Sequence, residues 1–355
     1  MKFKAKAADF LIYDEATGKY RENPEQVVRD DVEKRHWRRV FQLILRDWRL
    51  YLMLVPMLFV FICWRYLPMT ELLGCFKVGA SALEVKDQTF AGFSNFKTLF
   101  FPNDTSTYAI DFWRAFRNTF MISFYGLCFG FPMPIIIALF FNEIKSNILR
   151  SVYQVFTYLP KFMSTVVITT LVTLLLQKGD STFSNGVITQ LFVNLGWIKD
   201  GTGMLEEPTY FRAIYQISGI WETAGYDSIV FFAAVIAVSP TSYEAAQIDG
   251  AGKMAQMRYV VLPSILSTVV IMLITKIGTL LSVGYEKVLL LYNEHTYQTA
   301  EVVSTFAHRF GIGDASNMAA SSYAIAAEMV NNVIGMVLVI GANTIAKKAA
   351  DVSLY

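Results

Sequence analysis

Six apolar stretches of membrane-spanning length alternate with polar segments along this chain of 355 residues. About 20 largely apolar residues form a helix long enough to cross the roughly 30 Å hydrocarbon core of a bilayer. The pattern therefore predicts an all-α membrane protein with six transmembrane helices. The predicted spans are residues 50–67, 119–141, 152–176, 211–238, 263–291 and 323–346.

The first 49 residues contain no stretch of that length and no apolar core of a signal peptide. Residues 14–20 are typical of a turn between two short strands. In residues 34–49 apolar side chains recur every three or four positions beside basic ones, which predicts an amphipathic helix on the inner membrane surface. A cytoplasmic continuation of the first span would produce the same pattern. We divide the chain into a cytoplasmic extension (1–33), an interfacial helix (34–49) and a transmembrane domain (50–355).

Lysine and arginine residues concentrate on one side of the predicted spans. They lie in the N-terminal segment, the loops 142–150 and 239–262, and the C-terminal tail. Short loops rich in lysine and arginine face the cytoplasm in most membrane proteins. Both termini are therefore predicted to be cytoplasmic, and residues 68–112, 177–210 and 292–322 are predicted to lie outside the cell.

The composition agrees with a membrane location. Hydrophobic residues make up 54% of the chain and charged residues 17%, against about 25% charged residues in a typical soluble domain. The formal net charge of +2 gives no reason to expect a nucleic-acid partner. The three cysteines and three histidines lack the spacing of a disulfide framework or a metal site, so we expect no metal ligands.

The segment between the fourth and fifth predicted spans, residues 239–262, is longer and more patterned than a turn requires. Thr241 and Glu244 fit a capping box at the start of a short helix, and Ser239-Pro240 just upstream is a second helix-start signal. Gly250 permits a sharp turn, a second short helix follows, and Pro263 suits the first turn of the next span. Two short helices at a bend form a compact knob. Such a knob can fit a groove on a partner and transmit a rigid-body movement to the span behind it.

The segment resembles the coupling loop of permease subunits of ATP-binding-cassette (ABC) importers. In that family a Glu-Ala-Ala triplet is followed by glycine and, further on, by Leu-Pro; one departure here is Val260, where the family usually has isoleucine. The similarity extends over residues 48–355 and looks closest to the binding-protein-dependent carbohydrate permeases, through residues 92–96, 116–119, 142–144, 158–160 and 284–293. The residues that match the coupling motif are Glu244, Ala245, Ala246, Asp249, Gly250, Ala251, Leu262 and Pro263.

The resemblance implies the fold of a type I ABC importer permease, with six transmembrane helices and a cytoplasmic coupling helix, in a bacterial cell membrane. It implies a second, similar permease subunit, two ATPase subunits that the coupling loop contacts, and an extracellular solute-binding protein that delivers an oligosaccharide or polysaccharide fragment. Residues 250–253 look like part of an ATP-binding loop, but Met254 stands where serine or threonine is required. The chain is therefore predicted to be no enzyme and to hold no cofactor, with ATP and magnesium bound by the partner ATPase.

Several polar and aromatic side chains lie inside the fourth and fifth predicted spans, where such groups usually mark a functional site. A sugar presents hydroxyl groups around an apolar ring face, so its site needs hydrogen-bonding side chains and an aromatic platform. The alternative is structural ion pairs that hold the two permeases together, formed by Glu286 with Lys287 or by Asp227 with a basic residue elsewhere, and Lys276 is expected to be a structural partner. The residues from which we expect sugar contact are Trp221, Glu222, Tyr226, Ser282, Tyr285 and Glu286.

Two other functions remain open. A permease of the same class could carry a peptide, an amino acid or a phosphorylated polyol. A proton-coupled secondary transporter could use Glu222, Asp227 or Glu286 as a proton relay, but it would leave the patterned 239–262 loop unexplained.

Overall fold

The computed structural model divides into two compact units, Met1–Thr70 and Glu71–Tyr355. It describes residues 11–14, 19–22, 40, 45–77, 89–102, 107–179, 184–313 and 318–350.

A small antiparallel hairpin forms in the first unit. Strand β1 (Leu11–Asp14) pairs with strand β2 (Lys19–Glu22), with Leu11 opposite Glu22. The two short strands expected around residues 14–20 are therefore present. The predicted interfacial helix 34–49 lies mostly outside the described residues, so it stays a prediction.

Most of the rest of the described chain is helical. Both polar interruptions and prolines divide the apolar stretches into helices of very different length. In chain order these are α1 (Trp48–Phe76), α2 (Ser94–Phe100), α3 (Tyr108–Glu143), α4 (Asn147–Phe162), α5 (Thr165–Leu176), α6 (Val187–Asn194), α7 (Pro208–Ile236), α8 (Pro240–Ile248), α9 (Lys253–Ser264), α10 (Leu266–Gly278), α11 (Tyr285–Leu291), α12 (Tyr297–Ala300), α13 (Val303–His308) and α14 (Met318–Ala350).

Three helices of the described residues are each long and apolar enough to cross a membrane: α1, α3 and the Ser321–Lys348 part of α14. Three further pairs pass the same test only together, because each is bent at a short break. The bends are 100° between α4 and α5, 68° between α7 and α8, and 62° between α9 and α10. The all-α membrane fold is confirmed, whereas the number of six crossings is reached only if each bent pair counts as one span.

Two predicted spans are not continuous helices. The third breaks at Met163 and Ser164, just after a tight turn that contains Pro160, and the Ser164 hydroxyl accepts a hydrogen bond from the amide of Val166 (3.2 Å). The fifth ends as α10 at Gly278 and resumes as α11. Apolar composition predicts residence in lipid, but proline and glycine decide where the helical hydrogen bonds stop.

Apolar clusters hold the second unit together near both ends of α3. Near its start, Phe112 packs in one cluster with Leu99 of α2 and Phe306 of α13. Near its end, Leu139 packs in another with Val235 of α7. Within a bilayer such contacts stabilise mainly by close packing, because lipid tails are as apolar as the side chains.

Helices α4 and α7 cross closely at Gly225. A β-carbon added there would lie 2.1 Å from the carbonyl oxygen of Thr157 on α4, so one backbone would have to move. We expect Gly225→Ala to lower the free energy of unfolding by roughly 1–3 kcal/mol, as overpacking does elsewhere, and the melting temperature of the purified chain to fall. Gly335→Ala is the matched control, since a β-carbon there meets nothing within 4 Å. Equal melting temperatures of the two variants would contradict the close crossing.

Candidate functional site

A cleft of about 580 Å³ opens in the second unit, between α3, α7, α10 and the segment that leads into α11. Its wall includes four of the six residues from which sugar contact was expected: Glu222, Ser282, Tyr285 and Glu286. Apolar rings, among them Phe231, complete the wall. Convergent polar groups on a largely apolar surface are typical of sites for small polar molecules.

The other two expected residues, Trp221 and Tyr226, do not line this cleft. Their exposed fractions are 49% and 43%, and the ring of Tyr226 stands edge-on to Phe162 of α4, with 6.0 Å between the ring centroids. An α-helix turns by about 100° per residue, so positions that neighbour Glu222 and Asp227 in sequence face another direction. Sugar contact by Trp221 and Tyr226 stays a prediction.

The cleft adjoins an interruption in the fifth apolar stretch, residues 279–284, which joins α10 to α11. The Ser123 hydroxyl donates a hydrogen bond to the carbonyl of Leu280, and the Asn331 side-chain amide donates one to the carbonyl of Leu281 (3.2 Å). Backbone groups that leave a helix inside a membrane need such partners, because lipid offers none. The irregular segment is therefore held in place where it lines a cavity.

A buried ion pair crosses the cleft wall between α7 and α11. The Lys287 ammonium nitrogen lies 2.9 Å from a carboxylate oxygen of Glu222, and both side chains are mostly buried. Lys287 also lies over the ring of Tyr215, 5.6 Å from its centroid. Within this chain Lys287 pairs with Glu222 and not with Glu286, because consecutive residues of a helix point in different directions. Glu286 is exposed to the cleft and has no hydrogen-bond or ion-pair partner among the described residues.

Asp227 carries the second negative charge of α7 in the cleft wall. Lys276 of α10 and Lys161 of α4 both attract its carboxylate electrostatically. No ion pair within 4 Å joins Asp227 to Lys276 among the described residues, so the structural role of Lys276 stays a prediction. Within the described part of the chain no cluster of three or more His, Cys, Asp or Glu residues could hold a metal ion.

The 239–262 loop forms two helices at a bend, and the first begins at the Ser239-Pro240 signal, two residues before the predicted capping box. Helix α8 starts at Pro240 with Ser239 as its N-cap, and the hydroxyls of Ser239 and Thr241 lie 2.7 Å apart. No capping box forms at Thr241, because Pro240 occupies the first helical position and Ser239 is the N-cap, as the Ser239-Pro240 signal predicted. Gly250 has a positive φ of 78° and turns the chain toward α9.

The tip of this loop exposes apolar side chains to solvent. Ile248, Met254 and Tyr259 are 87%, 75% and 72% exposed. Tyr243, at the base of the loop, is instead partly buried against the cluster around Leu139. The structure places the predicted coupling residues on or beside the exposed tip, with Glu244, Ala245, Asp249, Gly250, Leu262 and Pro263 exposed and Ala246 and Ala251 partly buried.

A polar network at the start of α3 escaped the sequence reasoning. Glu301, which is 1% exposed, pairs with Arg114 (2.7 Å) and Arg309 (2.6 Å), and Asp111 pairs with both arginines. Asn118 donates to the carbonyl of Glu301 (3.0 Å). Its partners lie up to 198 residues apart in the chain, so no local pattern could indicate them. Residues 116–119, which carry part of the family resemblance, contain Asn118 and were one signal in the sequence.

Comparison with known proteins gives a consistent result. The family model for the "Binding-protein-dependent transport system inner membrane component" matches residues 130–284. Protein LplB of Bacillus subtilis (strain 168) is 34% identical over 310 residues, covering 87% of this chain and 92% of LplB. The polygalacturonan/rhamnogalacturonan transport system permease protein YteP of the same organism is 33% identical over 323 residues, covering 91% of this chain and 94% of YteP.

Two solved structures are similar along most of the chain. One is a bacterial ABC transporter involved in the import of the acidic polysaccharide alginate, with a TM-score of 0.76, 37% identity and coverage of 88% of this chain and 99% of that one. The other is a bacterial alginate ABC transporter in complex with an alginate pentasaccharide-bound periplasmic protein, with a TM-score of 0.76, 36% identity and coverage of 89% and 100%. The family match at residues 130–284 includes most of the cleft wall and the whole 239–262 loop.

Proposed function

Because the chain belongs to the family of binding-protein-dependent transport system inner membrane components, we propose that it imports oligosaccharides or polysaccharide fragments as a permease subunit of an ATP-driven ABC importer. An extracellular solute-binding protein delivers the solute, and ATPase subunits drive the cycle. Permease subunits of this kind are not enzymes, so ATP and magnesium are bound by the partner ATPase. A proton-coupled secondary transporter is no longer a candidate, since the family is a different one.

One observation carries the proposal: the same helices that line the cleft also hold the exposed loop. Helix α7 carries Glu222 in the cleft wall and continues through a bend into α8. Helix α9 leaves the loop and continues through a second bend into α10, which carries Lys276 in the same wall. A displacement of the loop therefore reaches the cleft through two packed elements.

The exposed tip of the loop is the docking element for the ATPase. Ile248, Met254 and Tyr259 offer apolar surface, while Glu244 and Asp249 offer carboxylates at its rim. Exposed apolar patches on an otherwise polar surface mark protein interaction sites. The loop with both termini accordingly faces the cytoplasm, and the opposite end of the helices, with the Glu301 network, faces the binding protein.

Substrate recognition involves the polar groups of the cleft and the half-exposed aromatic residues beside it. Glu286 accepts hydrogen bonds from sugar hydroxyls, Ser282 donates or accepts them, and Tyr285 supplies a ring face. Trp221 and Tyr226 lie on another face of α7, so they contact sugar where the pathway passes between this chain and a second permease. The ion pair of Glu222 with Lys287 shapes the wall.

The proposal is tested by uptake into proteoliposomes that contain the complete complex. Binding protein loaded with galacturonan, alginate or neutral oligosaccharides is compared with peptide-loaded binding protein. Uptake that requires both ATP and an oligosaccharide is the expected result. Uptake driven by a pH gradient without ATPase would overturn the proposal. Uptake that requires a peptide-loaded binding protein would show that the solute is a peptide and not an oligosaccharide.

The same assay tests the role of Glu286. We expect Glu286→Gln to lower the apparent affinity of the transport step for an oligosaccharide by at least about tenfold, since a hydrogen bond to a charged group contributes about 1.5–3 kcal/mol. Glu71→Gln is the matched control, because Glu71 is exposed and lies outside the cleft wall. Equal affinities of the two variants would remove Glu286 from the recognition site.

A further inference from the structure

The coupling loop contacts a third element besides the two helices that continue from it. The ammonium group of Lys253, the first residue of α9, forms an ion pair with the carboxylate of Glu143, the last residue of α3. The two residues are 110 positions apart in the chain. Neither the family match nor the proposed docking role assigns a function to this pair.

A second contact joins the same two parts of the molecule. Leu139, one helical turn before Glu143, packs in a cluster with Val261 of α9. Tyr243 of α8 and Met257 of α9 cover this cluster and are partly buried against it. The loop is therefore attached to the end of α3 at a charged point and at an apolar one.

Hydrogen bonds within the loop connect its two short helices. The Gln256 side-chain amide donates a hydrogen bond to the carbonyl of Ala251 (2.8 Å), and the amide of Ala251 donates to the carbonyl of Ala246 (2.8 Å). These bonds tie α8 to α9 across the turn at Gly250. A force on the exposed tip thus moves both short helices together rather than bending the turn.

Helix α3 connects this attachment point to the cleft. It runs from Tyr108 to Glu143 as one candidate span with a π-helical turn at Gly126–Gly130, and Ser123, Phe131 and Pro134 along it line the cleft wall. Ser123 also holds the interruption between α10 and α11 through the carbonyl of Leu280. A displacement of the Glu143 end of α3 therefore also displaces residues of the cleft wall.

We propose that Glu143 and Lys253 are a positioning pair that makes α3 move as one body with the coupling loop. The displacement produced by the ATPase then reaches the cleft through α3 as well as through α7 and α10. This inference rests on the proposed function, because it assumes that the loop is moved by a partner.

Charge reversal tests the pair in the reconstituted complex. Lys253→Glu places two carboxylates together and is expected to lower the number of solute molecules imported per ATP hydrolysed by about fivefold, the effect of losing about 1 kcal/mol of surface charge interaction. Glu143→Lys combined with Lys253→Glu restores the opposite charges and is expected to restore the ratio. Lys145→Glu is the matched control, because Lys145 is exposed in the neighbouring loop and has no partner among the described residues.

The number of solute molecules imported per ATP hydrolysed distinguishes this role from a merely structural one. A structural role would change the amount of assembled complex and leave that number unchanged. An unchanged ratio in Lys253→Glu, or no recovery in the double variant, would overturn the proposal. Failure of the unmodified complex to transport any oligosaccharide would instead contradict the proposed function.

Crosslinking gives an independent test whose result does not depend on a change in the stability of the complex. Cys63, Cys75 and Cys128 are first replaced by alanine, and Glu143→Cys with Lys253→Cys are then joined by a short bismaleimide reagent in the complete complex. Because α3 and the loop move together in the proposal, the crosslinked complex is expected to keep the transport rate of the single-cysteine variants treated with the same reagent. A crosslinked complex that hydrolyses ATP but no longer transports would show that the two must separate, and would overturn the proposal.

Discussion

Gly250→Val is expected to abolish coupled import while the membrane-spanning helices stay folded. Gly250 has a φ of 78°, a conformation that costs a β-branched residue about 1–3 kcal/mol. No atom lies within 4 Å of an added β-carbon, so the effect comes from the backbone and not from a clash. The strained turn would leave its present conformation, and Ile248 and Met254 would no longer form one surface.

The result is measured as import and as ATPase activity stimulated by loaded binding protein, and both are expected to fall tenfold or more. Gly252→Ala is the matched control, since Gly252 lies two residues away with a φ of −68° that any residue adopts. Gly250→Asn should retain part of the activity, because asparagine tolerates positive φ. Glu244→Lys, at the rim of the same surface, should also uncouple transport without changing the melting temperature.

Normal stimulation of ATPase activity by loaded binding protein in Gly250→Val would show that the turn is not part of the coupling mechanism. A fall in melting temperature comparable to that of Gly225→Ala would show instead that the turn supports the fold. The two outcomes are distinct because Gly250 is exposed at the tip of the loop, whereas Gly225 is buried between helices.

Glu222→Leu is expected to cause the largest loss of stability, because it leaves the Lys287 ammonium buried without its partner. Removing one partner of a buried ion pair costs about 3–5 kcal/mol, whereas replacing both partners by apolar residues is often neutral. Combining Glu222→Leu with Lys287→Met is therefore expected to recover most of the melting temperature in detergent. Glu286→Gln is the matched control, since Glu286 is exposed and unpaired among the described residues.

The double variant also separates two roles of the pair. Recovered stability with normal transport would make the pair a structural feature of the cleft wall. Recovered stability with impaired transport would indicate that its charges contact the solute or move during the cycle. A melting temperature of Glu222→Leu equal to that of Glu286→Gln would contradict the buried pairing.

The approximate positions of the spans and the coupling loop could be predicted from local sequence. Residues 50–67 and 323–346 fall within α1 and α14, because long apolar stretches have few alternatives to a membrane helix. Residues 152–176 and 263–291 were predicted as single helices, and each is broken. Hydrophobicity measures transfer into lipid, and the breaks depend on where Ser164, Ser123 and Asn331 supply substitute hydrogen bonds.

The cleft residues show the same division. Glu222, Ser282, Tyr285 and Glu286 were recognised because polar groups are rare inside spans, and all four line the cleft. The rotation of α7 placed Trp221 and Tyr226 outside it, and no sequence pattern specifies that angle. Glu286 was the alternative partner considered for Lys287, yet within the chain its partner is Glu222, 65 residues earlier.

By itself, the sequence determined that this is a helical membrane protein with an exposed, patterned loop between two spans, since lipid exposure and turn chemistry act on neighbouring residues. Tertiary structure alone decided which charges meet. The pairs of Glu222 with Lys287, Glu301 with Arg114 and Glu143 with Lys253 join residues 65, 187 and 110 positions apart. Their formation depends on how helices pack and rotate, and packing is a property of surfaces that only the folded chain brings together.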